Sequence, residues 1–152
     1  MFAVWSAKNK QSALVVVDNS NSRDVARWNI LSTGNRKVLA VMNGGNAGVA
    51  AGWNAGIKLA LEQGAEFVLL LDEDSIPGPE MVQALSDAWT ALAQAHALAA
   101  VGPDFNDRTT GATAIFISMA RYGIQRRCCS ADDKFLPTDY LMSSGTLVHR
   151  SV

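Results

Sequence analysis

Cysteine is almost missing from this chain. The two that occur, Cys128 and Cys129, are adjacent. That excludes a disulfide framework and spaced zinc ligands, and fits a reduced, cytoplasmic setting. An excess of one charge is missing too: 13 Lys and Arg stand against 14 Asp and Glu, a net charge of -1. Without a basic surplus, phosphate tracking is not expected, so no nucleic-acid partner is expected. Long hydrophobic runs are also lacking. The best stretch, Val82 to Val101, is broken by Asp87, two glutamines and His96, and reads as a packed helix, not a membrane span. No basic segment followed by an apolar run and a small-residue cleavage site is seen, so no signal peptide is expected. Peripheral attachment to the inner face of the cell membrane stays open. Only 4 prolines and 12 glycines, with 49% hydrophobic and 18% charged residues, argue against collagen-like repeats, disorder and a coiled coil. The 152 residues suffice for one domain, 1–152, and are too few for two.

What is present is an alternation of elements. Ala13 to Val17 is a short apolar run ending in Asp18-Asn19-Ser20, the pattern of a strand buried on both faces. A short helix is expected around Val25 to Leu31, and a second strand over Lys37 to Met42. A helix from Val49 to Gln63 follows, ended by Gly64 as a C-terminal cap. Phe67 to Leu71 is a third buried strand, stopped at Asp72-Glu73-Asp74. Pro77 and Pro79 open a helix with an apolar stripe at Met81, Leu85, Ala88 and Leu92. Further strands are expected at Leu98 to Val101, Ala114 to Met119 and Tyr140 to His149, with a turn at Arg126-Arg127 and a loop at Asp132-Asp133. The order predicts an α/β domain with a mostly parallel sheet flanked by helices.

Acidic residues collect where strands end: Asp18 after one, Asp72 and Asp74 after another. In open parallel sheets that edge is where ligands bind. Paired carboxylates suit a hard cation such as Mg²⁺ or Mn²⁺, which takes few protein ligands and completes its shell with phosphates. A lone Asp-x-Asp is as readily a solvated strand end. A second signal is Asn46-Ala47-Gly48-Val49-Ala50-Ala51-Gly52-Trp53-Asn54-Ala55-Gly56, where a strand becomes a helix and backbone N–H groups face the same edge. Gly52 and Gly56 are read as a helix face trimmed for close packing. Asn46, Trp53 and Asn54 are harder to explain as packing alone.

Five segments in order resemble the family 2 glycosyltransferases of the GT-A fold, and within them the rhamnosyltransferase-like members. They are Val16 to Ser20, Asn46 to Ile57, Gly64 to Ser75, Val101-Gly102-Pro103 and Ser143 to Val148. The resemblance implies a nucleoside-diphosphate sugar donor, dTDP-rhamnose or a UDP-sugar, and a saccharide or glycolipid acceptor. It places Asp18 on the donor's base, Asp74 on the metal, and Asp72 near the ribose and diphosphate as well as the metal. Asn46, Trp53, Asn54 and Glu73 join the donor side, Trp53 standing where many members have Arg. Ser144 and Gly145 fall on the acceptor side.

Two parts of the family pattern are not found, so the GT-A domain reads as incomplete. A complete member opens with a central strand ending in Thr-Tyr-Asn; here Ala3 to Gln11 reads as the tail of the helix that should follow it. The acidic segment that supplies the catalytic base is not found before Val152, and little transferase activity is expected of the chain as it stands. Asp132, Asp133 and Asp139 read as surface loop acids, and His96, His149 and the cysteines as non-catalytic. The gap left by the central strand would be closed by Phe2 to Trp5 or by a second copy of the chain, as a homodimer. The alternative to an enzyme is a non-catalytic nucleotide-sugar-binding or interaction module derived from the same fold.

Overall fold

The computed structural model describes residues 2–8, 11–20 and 38–152. The helix expected around Val25 to Leu31 lies outside them. Among the described residues the order is β1 (Phe2–Lys8), β2 (Gln11–Asp18), β3 (Val38–Met42), α1 (Val49–Glu62), β4 (Phe67–Asp72), α2 (Met81–Leu92), β5 (Ala100–Val101), β6 (Phe116–Ala120), β7 (Gly123–Arg127) and β8 (Leu147–His149). Six strands form one sheet in the order β3-β2-β1-β4-β8-β5, and β6 and β7 form a separate hairpin.

The α/β class is what the sequence predicts; the mostly parallel sheet is not what forms. Only β2 and β3 pair in parallel. The other four pairings, β1 with β2, β1 with β4, β4 with β8 and β5 with β8, are antiparallel. The reason lies in two reversed strands. β2, β3, β4 and β5 all point the same way, but β1 is inserted between β2 and β4, and β8 between β4 and β5. Both insertions run against their neighbours.

β1 also corrects the N-terminal expectation. Phe2–Lys8 is a strand and not the tail of a helix. Its register runs Phe2 against Val17 on one side and against Asp72 on the other. Buried strands with open edges pull a β-prone segment into pairing. The chain's own N-terminal residues therefore fill the central position, and the strand edges that argued for a second copy are paired.

The pleat sorts β4 between two cores. Val68 and Leu70 face a cluster with Val15, Val17, Trp53, Ala60 and Ala65, roofed by α1. Leu69 faces Leu85, Val101 and Leu147, with Phe67, Leu71, Met81 and Trp89 around them, roofed by α2. Alternation along a strand carries both sets. α1 packs through Gly52, Trp53, Gly56 and Ala60, so the trimmed-face reading of Gly52 and Gly56 holds. It stops at Gly64, whose φ of 81° is the left-handed cap conformation. The Gly64 N–H donates to Leu61 O at 2.9 Å and the Ala65 N–H to Ala60 O at 3.0 Å, a Schellman motif.

Beyond β5 the expectations are only partly met. Arg126 and Arg127 belong to strand β7 and not to a turn; the reversal falls at Arg121-Tyr122. Of Tyr140 to His149, Leu147–His149 forms β8 in the main sheet, and Tyr140 makes an isolated bridge with Ile117.

Candidate functional site

Because β2, β3, β4 and β5 share one direction, their carboxyl ends share one edge of the sheet. Asp18 closes β2 and Asp72 closes β4. One strand separates them, since Phe2 pairs with both Val17 and Asp72. Two strand spacings are roughly 10 Å. Asp18 is 9% exposed, and its Oδ1 accepts the Ser20 N–H at 2.9 Å.

The loop from β3 to α1 is fixed on this edge by a residue the sequence reading left without a role. The Asn19 side-chain amide donates to Gly48 O at 3.0 Å and to Asn46 Oδ1 at 3.3 Å. Its Oδ1 accepts the Asn43 amide at 3.0 Å and the Ala47 N–H at 3.1 Å. Asn46 Oδ1 also accepts the Gly48 N–H at 3.0 Å. Asn19 thus staples the end of β2 to the start of α1. The available signal was an Asn at a strand end facing an Asn-Gly-Gly-Asn loop. Helix α1 begins at this edge with no side-chain cap on its first N–H groups, which leaves a partial positive charge toward the site.

The other half of the edge is the turn after β4. Glu73 and Asp74 are exposed and Asp72 is half-buried. The Asp72 N–H donates to Ser144 Oγ at 2.9 Å, and Ser144 Oγ lies 2.6 Å from Ser75 Oγ. Next to it the Gly145 N–H donates to Leu70 O at 2.7 Å. Gly145 has φ 86° and sits against Pro103; a Cβ there would come within 2.8 Å of Pro103 Cγ. Ser144 and Gly145 therefore stand at the carboxylate turn and set its backbone.

Of the remaining candidates, Asn54 is exposed on α1, but Trp53 is buried against the sheet. It is 6% exposed and packed among Val15, Val17 and Leu70 under the sheet. Helical periodicity forces that difference: the face that buries Gly52, Trp53, Gly56 and Ala60 leaves Asn54 outside. Asp133 accepts from Ser130 and Arg127, and Asp139 accepts the Met119 N–H at 2.6 Å. Asp139 is thus tied to strand β6, and Asp133 to Ser130 and to Arg127 of β7. A mainly apolar recess lined by Ile57, Leu61, Val68 and Val148, with His149 and Arg150, lies toward the opposite end of β4, and no Asp or Glu side chain lines it.

Whether this edge suits a divalent cation is decided by its donor set. Among the described residues no group of three or more His, Cys, Asp or Glu gathers as a metal cluster. Burial pushes the Asp72 carboxyl above its usual range, and the neighbouring charges of Asp74 and Glu73 push it further. Close carboxylates that repel one another fit a hard cation, which relieves the repulsion and fills its other positions from phosphate and water. Asp72 and Asp74 would hold it.

The family model described as Glycosyl transferase family 2 matches residues 3–145. No curated protein and no solved structure matches the chain.

Proposed function

This chain belongs to glycosyl transferase family 2, and we propose that its carboxylate edge binds a nucleoside-diphosphate sugar and passes the sugar to a saccharide or glycolipid acceptor. The observation that carries this reading is the placement of Asp18 and the Asp72–Asp74 turn on one sheet edge, one strand apart. The donor is dTDP-rhamnose or a UDP-sugar, and the sugar is rhamnose in the reading closest to the sequence resemblance. The chain works at the cytoplasmic side.

Each residue's part follows from its position. Asp18 accepts from the donor's base at the closed end of β2. The first turn of α1, with Asn46 and Asn54 beside it, faces the ribose and diphosphate with N–H groups and amides. Asp72 meets the ribose, and Asp72 and Asp74 would hold Mg²⁺ or Mn²⁺ beside the diphosphate. When bound, the cation neutralises charge that builds on the departing nucleoside diphosphate. Ser144 and Ser75 keep the Asp72 backbone in place while this happens. Glu73, exposed in the same turn, adds a third acceptor to the donor side. An inverting transfer also needs a carboxylate within reach of the acceptor hydroxyl. Asp133 is already engaged by Ser130 and Arg127, and Asp139 by the Met119 N–H, which supports the second reading, a module that binds the donor without transferring it.

The test is a thermal-shift panel with dTDP, UDP, GDP and ADP, each with and without Mn²⁺, on the wild type and Asp74→Asn. A ligand at 100 times its Kd adds about 2.7 kcal/mol of stability. The expected result is a Mn²⁺-dependent shift with one nucleotide that Asp74→Asn loses. No shift with any nucleotide would overturn the donor-site reading. A shift accompanied by no sugar transfer, with the acceptor supplied, favours the non-catalytic module.

A further inference from the structure

Residues 104–142 leave the sheet after β5 and return before β8, and their ends meet where Pro103 touches Gly145. The segment carries the β6–β7 hairpin, whose cross-strand pairs are Phe116 with Arg127, Ile117 with Arg126, Ser118 with Gln125 and Met119 with Ile124. Directly opposed residues share a face, and alternate residues along a strand share a face. One face therefore carries Phe116, Ser118 and Arg127. Its β6 side meets the rest of the segment, with Phe116 buried and Ser118 Oγ donating to Pro137 O; on the β7 side Gln125 and Arg127 are exposed, and Arg127 pairs with Asp133.

The opposite face carries Ile115, Ile117, Met119, Ile124 and Arg126. Tyr140, bridged to Ile117, extends the same row. This face is outward and apolar: Met119 is 77% exposed and Ile124 62%, and Tyr122 at the tip is 91% exposed. A soluble surface scatters such side chains singly; several contiguous ones mark a contact surface.

What covers the face is read from its charge and its size. Residues 115–127 hold Arg121, Arg126 and Arg127 and no acid, in a chain whose net charge is -1. Arg127 is matched by Asp133. Arg121 lies 5.5 Å over the Tyr122 ring, and neither Arg121 nor Arg126 has an ion-pair partner among the described residues. Five residues of strand by two strands, with Tyr140 beside them, give a projected face of roughly 160 Å², against about 800 Å² per partner in a stable interface. That is too small for a second copy, yet enough for a few side chains to enter a lipid interface. Tyr and apolar residues at the tip of a basic hairpin match the composition of such anchors.

We propose that the outer face of the β6–β7 hairpin docks on an anionic phospholipid bilayer, with Met119, Tyr122 and Ile124 entering the headgroup region and Arg121 and Arg126 meeting lipid phosphates. The hairpin hangs from Pro103 and Gly145, at the carboxylate edge of the sheet, so docking brings that edge to the membrane surface. The inference rests on the exposed face alone and holds whether or not the edge binds a nucleotide.

Vesicle flotation of the full chain tests it, with phosphatidylcholine vesicles against vesicles that also contain phosphatidylglycerol. Wild type is expected to float with the anionic vesicles, less so as salt rises, and to stay behind with neutral ones. Arg121→Gln with Arg126→Gln should weaken partitioning about thirty-fold, and Met119→Ser with Ile124→Ser should abolish it. Both pairs are on the surface, and an unchanged melting curve establishes that each variant folds. Should the serine pair fail to fold, the glutamine pair alone decides. The proposal is overturned if wild type does not float, if it floats equally with both vesicles, or if the folded variants float as wild type does. It also falls if light scattering shows a dimer that the serine pair dissociates, since the face would then belong to a second copy.

Discussion

The carboxylate edge and the segment from Pro103 to Ser143 hang on one sheet but are held by opposite means. Behind Asp18 and Asp72 stand two apolar clusters, one on each face of β4. In the 103–143 segment only Ala114 and Phe116 are buried apolar residues. Its shape comes from side chains that satisfy nearby backbone. Asp107 accepts from Thr109 and Thr110, Thr138 bonds to Ile117 and Tyr140, and Asp139 accepts from Met119. Dense apolar packing fixes groups that must keep their spacing. A segment tied by local polar bonds can leave Met119, Tyr122 and Ile124 outside, free to meet something else, and opens at lower cost.

Removing apolar volume from each region should separate them most widely. Trp53→Ala in the first core is expected to lower the unfolding free energy by about 3–5 kcal/mol. Met119→Ala, exposed on the hairpin, should stay within about 0.5 kcal/mol. Urea unfolding of both variants measures the contrast. Equal losses would mean that the hairpin is packed as tightly as the sheet. Trp53→Phe refines the comparison: if Trp53 acts through packing alone, it keeps most of the stability and all of the nucleotide-induced shift.

Within the carboxylate edge, polar ties should matter less than packing, yet more for ligand than for stability. Asn19→Ala removes four hydrogen bonds between β2 and the α1 loop. These bonds are partly solvated, so a loss of about 1–2 kcal/mol is expected. If the loop faces the donor as proposed, the nucleotide-induced thermal shift should fall further, because Asn19→Ala releases it. Ser144→Ala removes the acceptor of the Asp72 N–H. It should cost about 1 kcal/mol and weaken Mn²⁺ dependence selectively, leaving the nucleotide shift without metal unchanged. A variant that lost stability but bound Mn²⁺ and nucleotide as before would confine Ser144 to a structural part.

Much of this contrast was legible in the sequence, and what was not has a common cause. β2 and β4 announce themselves as short apolar runs closed by acids, and α1 by periodic small residues and a terminal Gly64. The strand-end position of Asp18, Asp72 and Asp74 follows from those runs. β1 was hidden because its identity is settled by the open edges of β2 and β4, far along the chain. Once β1 and β8 insert in reverse, neighbours that would pair in parallel become antiparallel. β7 was hidden because Gly123–Arg127 is exposed throughout, so no buried alternation marks it. Asn19 and Ser144 work through bonds that span 24 to 72 positions, which no local pattern records. Trp53 shows the limit from the other side: beside Asn54 in one motif, it is parted from it by the 100° step of the helix.

The smallest expected effect tests the polar side of the comparison. The Asp107 carboxylate accepts the Thr110 and Thr109 N–H groups at 2.8 Å. Those bonds favour the charged form and hold the Asp107 carboxyl below its usual range, Thr110 first and Thr109 next. A lowered carboxyl pKa means that folding favours the ionised side chain. Its stabilising contribution is therefore full above the unfolded value of about 3.9 and is lost as pH falls through the lower folded value. The 107–111 turn, closed by the Gly111 N–H on Asp107 O at 2.7 Å, should loosen in acid before the sheet does. Amide shifts of Thr109 and Thr110 followed through an acid titration should move together with a midpoint below 3.9 by NMR. In Asp107→Asn they should show no such step, and the melting temperature at neutral pH should barely change. A midpoint at the ordinary carboxylate value would mean that these bonds do not hold the turn in solution, and that the 103–143 segment owes its shape to Ala114 and Phe116 instead.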